Sequence, residues 1–222
     1  MKLPVMIRTA VLALSSFRVA GQAFCGAREQ SSPNSPSITS VSGTITIPSN
    51  LSAYDGSAFR GYIGITGQSC TKDFVQLGLD INVTNSAAEY TLVFQKWDSD
   101  FSKQYVNLVK DMSFRPGDRV QLSLGIDLGG TEGTMTARNL NTGQSRSFTL
   151  SNNSFTCRSI VEWMSEEFFF SNADLSGMEL QFDDCLYSRN GGTAIEGLSS
   201  STLYNQGCTA EKEDDGSLLI IY

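Results

Sequence analysis

From Val41 to its end, the chain is built of short runs rich in β-branched and aromatic residues, broken repeatedly by Gly, Asn, Ser or Pro. Thr44-Ile45-Thr46-Ile47 alternates polar and apolar and stops at Pro48. Residues 62–66, 74–83 and 89–97 are further runs of this kind. Val120, Leu122, Leu124 and Ile126 alternate with Gln121, Ser123 and Gly125, which predicts a strand with one apolar face. Arg115-Pro116-Gly117-Asp118 supplies a turn just before it. Residues 135–140 and 145–150 flank Asn141-Thr142-Gly143, the pattern of a hairpin. Residues 159–170, 178–187 and 218–222 complete the series, and no long segment carries helical periodicity with caps. Many short strands at close spacing bury their apolar faces only as a sandwich or a barrel. One β-sandwich domain over residues 40–222 is the expectation.

The start of the chain reads differently. Lys2 and Arg8, a short apolar run over residues 9–16 and the small-residue stretch Gly21-Gln22-Ala23 have the order of a secretory signal over residues 1–23. Residues 24–39, polar and carrying Pro33 and Pro36, read as a flexible lead-in. Five cysteines without a C-x-x-C pair suit disulfides in a secreted, extracellular protein. Cys25 beside the cleavage point reads as a spare thiol. Cys70, Cys157, Cys185 and Cys208 then allow three pairings. Asn50, Asn82 and Asn152 each begin a glycosylation sequon. The 23 acidic residues outnumber the 16 basic ones, which argues against a nucleic-acid partner. No apolar run is long enough to cross a membrane as a helix. The chain is expected to act as a monomer.

Histidine is absent altogether. That removes imidazole bases and His-ligated metals, so hydrolytic chemistry here must use carboxylates, amides, hydroxyls or lysine. No metal or cofactor is expected. Among the acidic clusters, Glu211, Glu213, Asp214 and Asp215 read as a solvated hairpin loop. Asp183 and Asp184 point to opposite faces if both lie in one strand, and Asp127 with Glu132 flanks a Gly129-Gly130 turn. In residues 160–167, alternation puts Glu162, Met164 and Glu166 on one strand face. That face is either solvated or recessed, and a recessed carboxylate among apolar neighbours can serve as an acid or base. Alternation in residues 74–80 likewise aligns Gln76, Gly78 and Asp80.

In this order the two segments resemble the fungal glutamic peptidases, the eqolisins. That family has a Trp-Val-Gly-Ile-Asp-Gly strand, a Cys, then Leu-Gln-Thr-Gly, and later Cys-x-x-x-x-Glu-x-x-x-Glu. Here Tyr62-Ile63-Gly64-Ile65-Thr66-Gly67, Cys70, Val75-Gln76-Leu77-Gly78 and Cys157 with Glu162 and Glu166 follow one another at matching spacing. Phe114-Arg115-Pro116-Gly117-Asp118 and Asn139-Leu140-Asn141-Thr142-Gly143-Gln144 match two further family stretches. The resemblance implies an antiparallel two-sheet sandwich of the concanavalin A-like jelly-roll kind, with a Gln/Glu dyad, Gln76 and Glu166, on its concave face. It implies substrate contacts at Tyr62, Thr66, Asp80, Val93, Gln95, Trp97 and Glu162. It also implies a Cys70–Cys157 disulfide, which leaves Cys185–Cys208. The implied function is acid hydrolysis of peptide bonds in protein or peptide substrates. The chain departs from the family where Gln95 replaces a glutamate, where Tyr62 and Thr66 replace Trp and Asp, and where Ala27-Arg28-Glu29-Gln30 replaces an Asn-Trp-Gly-Gly start.

Two other functions compete. Glu162-x-Met164-x-Glu166 has the outline of the Glu-x-Asp-x-Glu strand of concanavalin A-like glycosidases, although Met164 takes the central Asp position and only Trp97 and Trp163 could stack sugars. A secreted binding module without catalysis is the third, and Gln95 is its best support.

Overall fold

The computed structural model describes residues 23–32, 34–67, 70–97, 104–151, 154–155, 158–168 and 174–222. Residues 1–22, Asn152, Cys157 and the expected Cys70–Cys157 bridge lie outside what is described. The strands are β1 (Phe24–Gln30), β2 (Ile38–Thr46), β3 (Ala58–Gly67), β4 (Cys70–Thr84), β5 (Ala87–Trp97) and β6 (Gln104–Val109). They continue as β7 (Arg119–Ile126), β8 (Gly133–Asn139), β9 (Ser145–Leu150), β10 (Ile160–Glu167) and β11 (Glu179–Arg189). The last are β12 (Ile195–Glu196), β13 (Thr202–Gln206), β14 (Thr209–Lys212) and β15 (Leu218–Ile221). They form two antiparallel sheets, in the orders β13-β1-β10-β3-β4-β5-β6 and β14-β15-β11-β2-β7-β8-β9. The all-β, two-sheet sandwich expected from the sequence is the fold.

Strand alternation builds the core between the sheets. Ile63, Ile65, Leu77, Leu79, Phe94, Val161 and Trp163 line the inner face of the first sheet, against Ile45, Val120, Leu122, Leu124 and Phe182 of the second. Trp163 joins the two layers: it is fully buried, and its Nε1 donates to the Ser42 carbonyl oxygen at 2.7 Å. Two glycines make room for its indole. A β-carbon on Gly197 would lie 2.1 Å from the ring, and one on Gly43 3.0 Å away.

The β4–β5 hairpin sets the register on which the site depends. Asn85 and Ser86 both have positive φ, 54° and 60°, so a two-residue turn closes Thr84 against Ala87. Counting back along the ladder, that turn brings Gln76 opposite Gln95.

Two expectations are corrected. Residues 24–30 are not a flexible lead-in but strand β1, paired on both sides with β10 and β13 and largely buried. Its polar composition hides this, because Gly26 and Ala27 are chosen for space. A β-carbon on Gly26 would lie 2.2 Å from the Trp163 carbonyl oxygen. The disulfide assignment changes as a consequence. Cys25 is no spare thiol but bonds Cys208, whose Cα is 5.9 Å away, because β1 runs beside β13 and Cys208 follows β13. Cys185 is then a buried free thiol, so the Cys185–Cys208 bridge does not form.

Candidate active site

The outer face of the first sheet carries the candidate residues in rows that cross the strands. One row reads Arg28, Glu162, Gly64, Gln76, Gln95 from β1 to β5. The next reads Gly26, Met164, Tyr62, Gly78, Val93, and the third Phe24, Glu166, Arg60, Asp80, Thr91. Gln76 and Glu166 therefore share a face. One strand, β3, lies between theirs, and Glu166 is four residues further along than Glu162, the carboxylate in Gln76's own row. Thr66 and Trp97 keep the alternation of Tyr62 and Gln95, so the whole expected substrate-contact set falls on this face. The face is recessed at its centre: Gln76 and Glu162 are each only 4% exposed. Glu166 is half-buried.

Two ion pairs organise the face. Arg28 Nη2 donates to Glu162 Oε1, while its Nη1 donates to the Tyr204 hydroxyl at 3.2 Å and its guanidinium lies 4.8 Å from that ring. Arg60 binds Asp80 with two donors, Nε to Oδ1 and Nη2 to Oδ2 at 3.0 Å. Its Nη1 donates to Gln95 Oε1 at 3.3 Å, and the same oxygen accepts from Gln76 Nε2. The local field is strong enough to act on titrating groups. Burial alone would lower the pKa of Arg60, but the charge and hydrogen bonds of Asp80, with Glu166 beyond, raise it. Arg28 is raised against the same desolvation by Glu162. The Tyr62 phenol, buried between them, is pushed well above its usual range by burial first and then by Glu162 and Glu166.

The sequence marks Arg28 only as part of the segment that replaces the family's start, and it marks Arg60 by no motif. Arg60 is two positions before Tyr62 and shares its alternation, a signal that was present. Its role depends on Asp80, 20 residues away, and that of Arg28 on Glu162, 134 residues away. Only strand register joins such partners.

Away from this face the acidic clusters are structural. Asp127 accepts from the backbone N–H of Thr131 and of Glu132, both at 2.7 Å, and so closes its turn. Glu211, Glu213, Asp214 and Asp215 are exposed around the β14–β15 hairpin. Asp183 and Asp184 sit at a register shift in β11, where Asp184 takes a positive φ of 51° and Asp183 pairs with Arg119 at 3.2 Å. Among the described residues no three acidic or cysteine side chains gather into a metal-binding cluster. Asn50 and Asn82 are both exposed.

Comparison with known proteins adds to this geometry. The pattern of the Peptidase A4 family matches residues 22–215. Scytalidopepsin B from Scytalidium lignicola is 27% identical over 163 residues, covering 68% of this chain and 59% of that relative. Aspergillopepsin-2 from Aspergillus niger is 25% identical over 151 residues, covering 59% of this chain and 51% of the relative. The chain thus spans little more than half the length of these curated relatives. The crystal structure of scytalido-glutamic peptidase with a peptide-based transition state analog superposes with a TM-score of 0.69 at 20% identity, covering 92% of this chain and 100% of that one. Aspergilloglutamic peptidase from Aspergillus niger gives 0.59 at 19% identity, covering 74% and 98%. At such identity these superpositions speak for the fold.

Proposed function

Because the chain belongs to the Peptidase A4 family, we propose that it is a secreted, monomeric endopeptidase that hydrolyses protein or peptide substrates in acid with Gln76 and Glu166. The observation that carries this is the shared outer face: both side chains stand on one side of one sheet, around a recessed floor.

The chemistry follows from the groups. Ionised Glu166 takes a proton from a water molecule, whose oxygen attacks the scissile carbonyl carbon. The Gln76 amide positions that water and donates to the oxyanion as it forms. Protonated Glu166 then passes its proton to the departing amine as the C–N bond breaks. A carboxylate with an ordinary pKa near 4.3 is ionised in mild acid, where an imidazole would already be protonated. Tyr62 stands on the floor between these groups, flanked by Gly64 and Gly78, which carry no β-carbons. Gln95, where the family carries a glutamate, still accepts the hydrogen bond from Gln76.

The glycosidase alternative is weaker, because Glu162 is tied to Arg28 on β1 and Met164 stands where that strand pattern carries an aspartate. The test is the mature protein assayed on a denatured protein substrate, beside Gln76→Ala and Glu166→Gln. Cleavage in acid should fall by roughly 100-fold or more in each variant. Acid cleavage that survives unchanged in both variants overturns the dyad.

A further inference from the structure

The side chain of Arg60 runs from the row of Glu166 over Gly78 to Gln95, in the row of Gln76. Its aliphatic stem covers Gly78, where a β-carbon would lie 2.9 Å from Arg60 Cδ and 3.0 Å from Tyr62 Cβ. Its guanidinium, on a side chain only 13% exposed, is held by Asp80 and Gln95 and lies 5.2 Å from the Phe168 ring. A guanidinium only donates, so the Gln95 atom it meets must be the amide oxygen. The Gln76 atom that meets the same oxygen must then be its nitrogen. The orientation of the Gln76 amide is thus set from Arg60, through Gln95. On its other side, Arg60 is the direct cross-strand partner of Glu166.

We propose that Arg60 is a positioning residue of this site, its fork orienting Gln76 through Gln95 and its charge facing Glu166 across the β3–β10 pair. The inference rests on the dyad assigned above and deepens it. Nothing in the chemistry requires Arg60 to touch the reacting atoms. Its charge acts on Glu166 beside other titratable groups. Among the described residues these include Tyr62 on β3, Asp80 on β4, Glu162 and Glu167 on β10, Arg28 on β1 and Tyr222 after β15, while Phe24, the β1 partner of Glu166, is uncharged. Removing Arg60 takes away a cation and leaves Asp80 without its bidentate partner. Both changes disfavour an ionised Glu166.

Arg60→Met and Arg60→Lys separate the fork from the charge. In folded Arg60→Met, kcat should fall roughly 10- to 100-fold with KM little changed, and the acid limb of the pH profile should move to higher pH. Arg60→Lys should return the acid limb towards the wild-type position but recover only part of kcat, because an ammonium is a point charge and not a fork. Wild-type kcat and an unmoved acid limb in Arg60→Met overturn the inference. Should Arg60→Met fail to fold, an unchanged kcat in Arg60→Lys overturns it instead. Glu166→Gln, run alongside, keeps the two readings apart. If it is inactive while the Arg60 variants are unaffected, only the role of Arg60 fails. If the wild type shows no cleavage that depends on Glu166, the dyad fails and this inference with it.

Discussion

Gln95 occupies the pivotal place in the hydrogen bonding around Gln76, accepting from Gln76 and Arg60 at a single oxygen. A carboxylate can accept both bonds, so Gln95→Glu should retain cleavage. The added negative charge would disfavour ionised Glu166, so the acid limb of kcat/KM should move to higher pH; a limb that moves to lower pH contradicts the arrangement. Gly78→Ala tests the same network sterically, since its β-carbon has to displace Arg60 or Tyr62. It should lower kcat while leaving the protein folded, as read from activity beside a thermal unfolding curve. The alternation that aligns Gln76 with Asp80, and Glu162 with Glu166, was legible in the sequence, and the structure puts all four on one sheet face; the pairing of Gln76 with Glu166 is what the family resemblance implies. Arg60 was not legible, because its meaning comes from Asp80, Gln95 and Glu166, which meet it only through strand pairing.

The strands themselves were legible where one face is apolar, as in β7, whose residues alternate between buried and open positions. They were illegible where a strand is buried on account of its neighbours. β1 has the composition of a linker, yet lies between β10 and β13 and is pinned by the Cys25–Cys208 bond. That bond closes a span of 183 residues. Replacing Cys25 and Cys208 together by serine should cost about 2–4 kcal/mol of stability, measured by denaturant unfolding of both proteins without reductant. No change in midpoint would contradict the pairing. Cys185, on β11, is sealed by burial, and that burial, with Glu196, Asp183 and Asp184 nearby, pushes its thiol well above the usual range. The thiol therefore stays protonated and unreactive through neutral pH. Iodoacetamide should label it in denaturant and not in the native protein; rapid native labelling would contradict its placement.

The molecule as a whole depends on the two sheets staying in register, because the outer face is only as well defined as the core beneath it. Trp163 has a side chain in that core and immediate neighbours, Glu162 and Met164, on the outer face. Trp163→Phe removes the bond to Ser42 and part of a fully buried ring, and should cost about 2 kcal/mol. Gly197→Ala, which forces a β-carbon into the indole, should destabilise by a similar ~1–3 kcal/mol. Both are read by denaturant unfolding, and neutral effects would contradict the packing. The sandwich was foreseeable from alternation alone, but where each glutamate lies relative to Gln76 depends on register. Glu162 lies in Gln76's row across Gly64, whereas Glu166 lies two rows away beside Arg60. The decisive measurement is therefore cleavage of one denatured substrate by the wild type, Glu162→Gln and Glu166→Gln between about pH 2 and pH 7. The account predicts acid cleavage by the wild type, a weakened but measurable rate in Glu162→Gln, and none in Glu166→Gln. Cleavage retained in Glu166→Gln and lost in Glu162→Gln would contradict it.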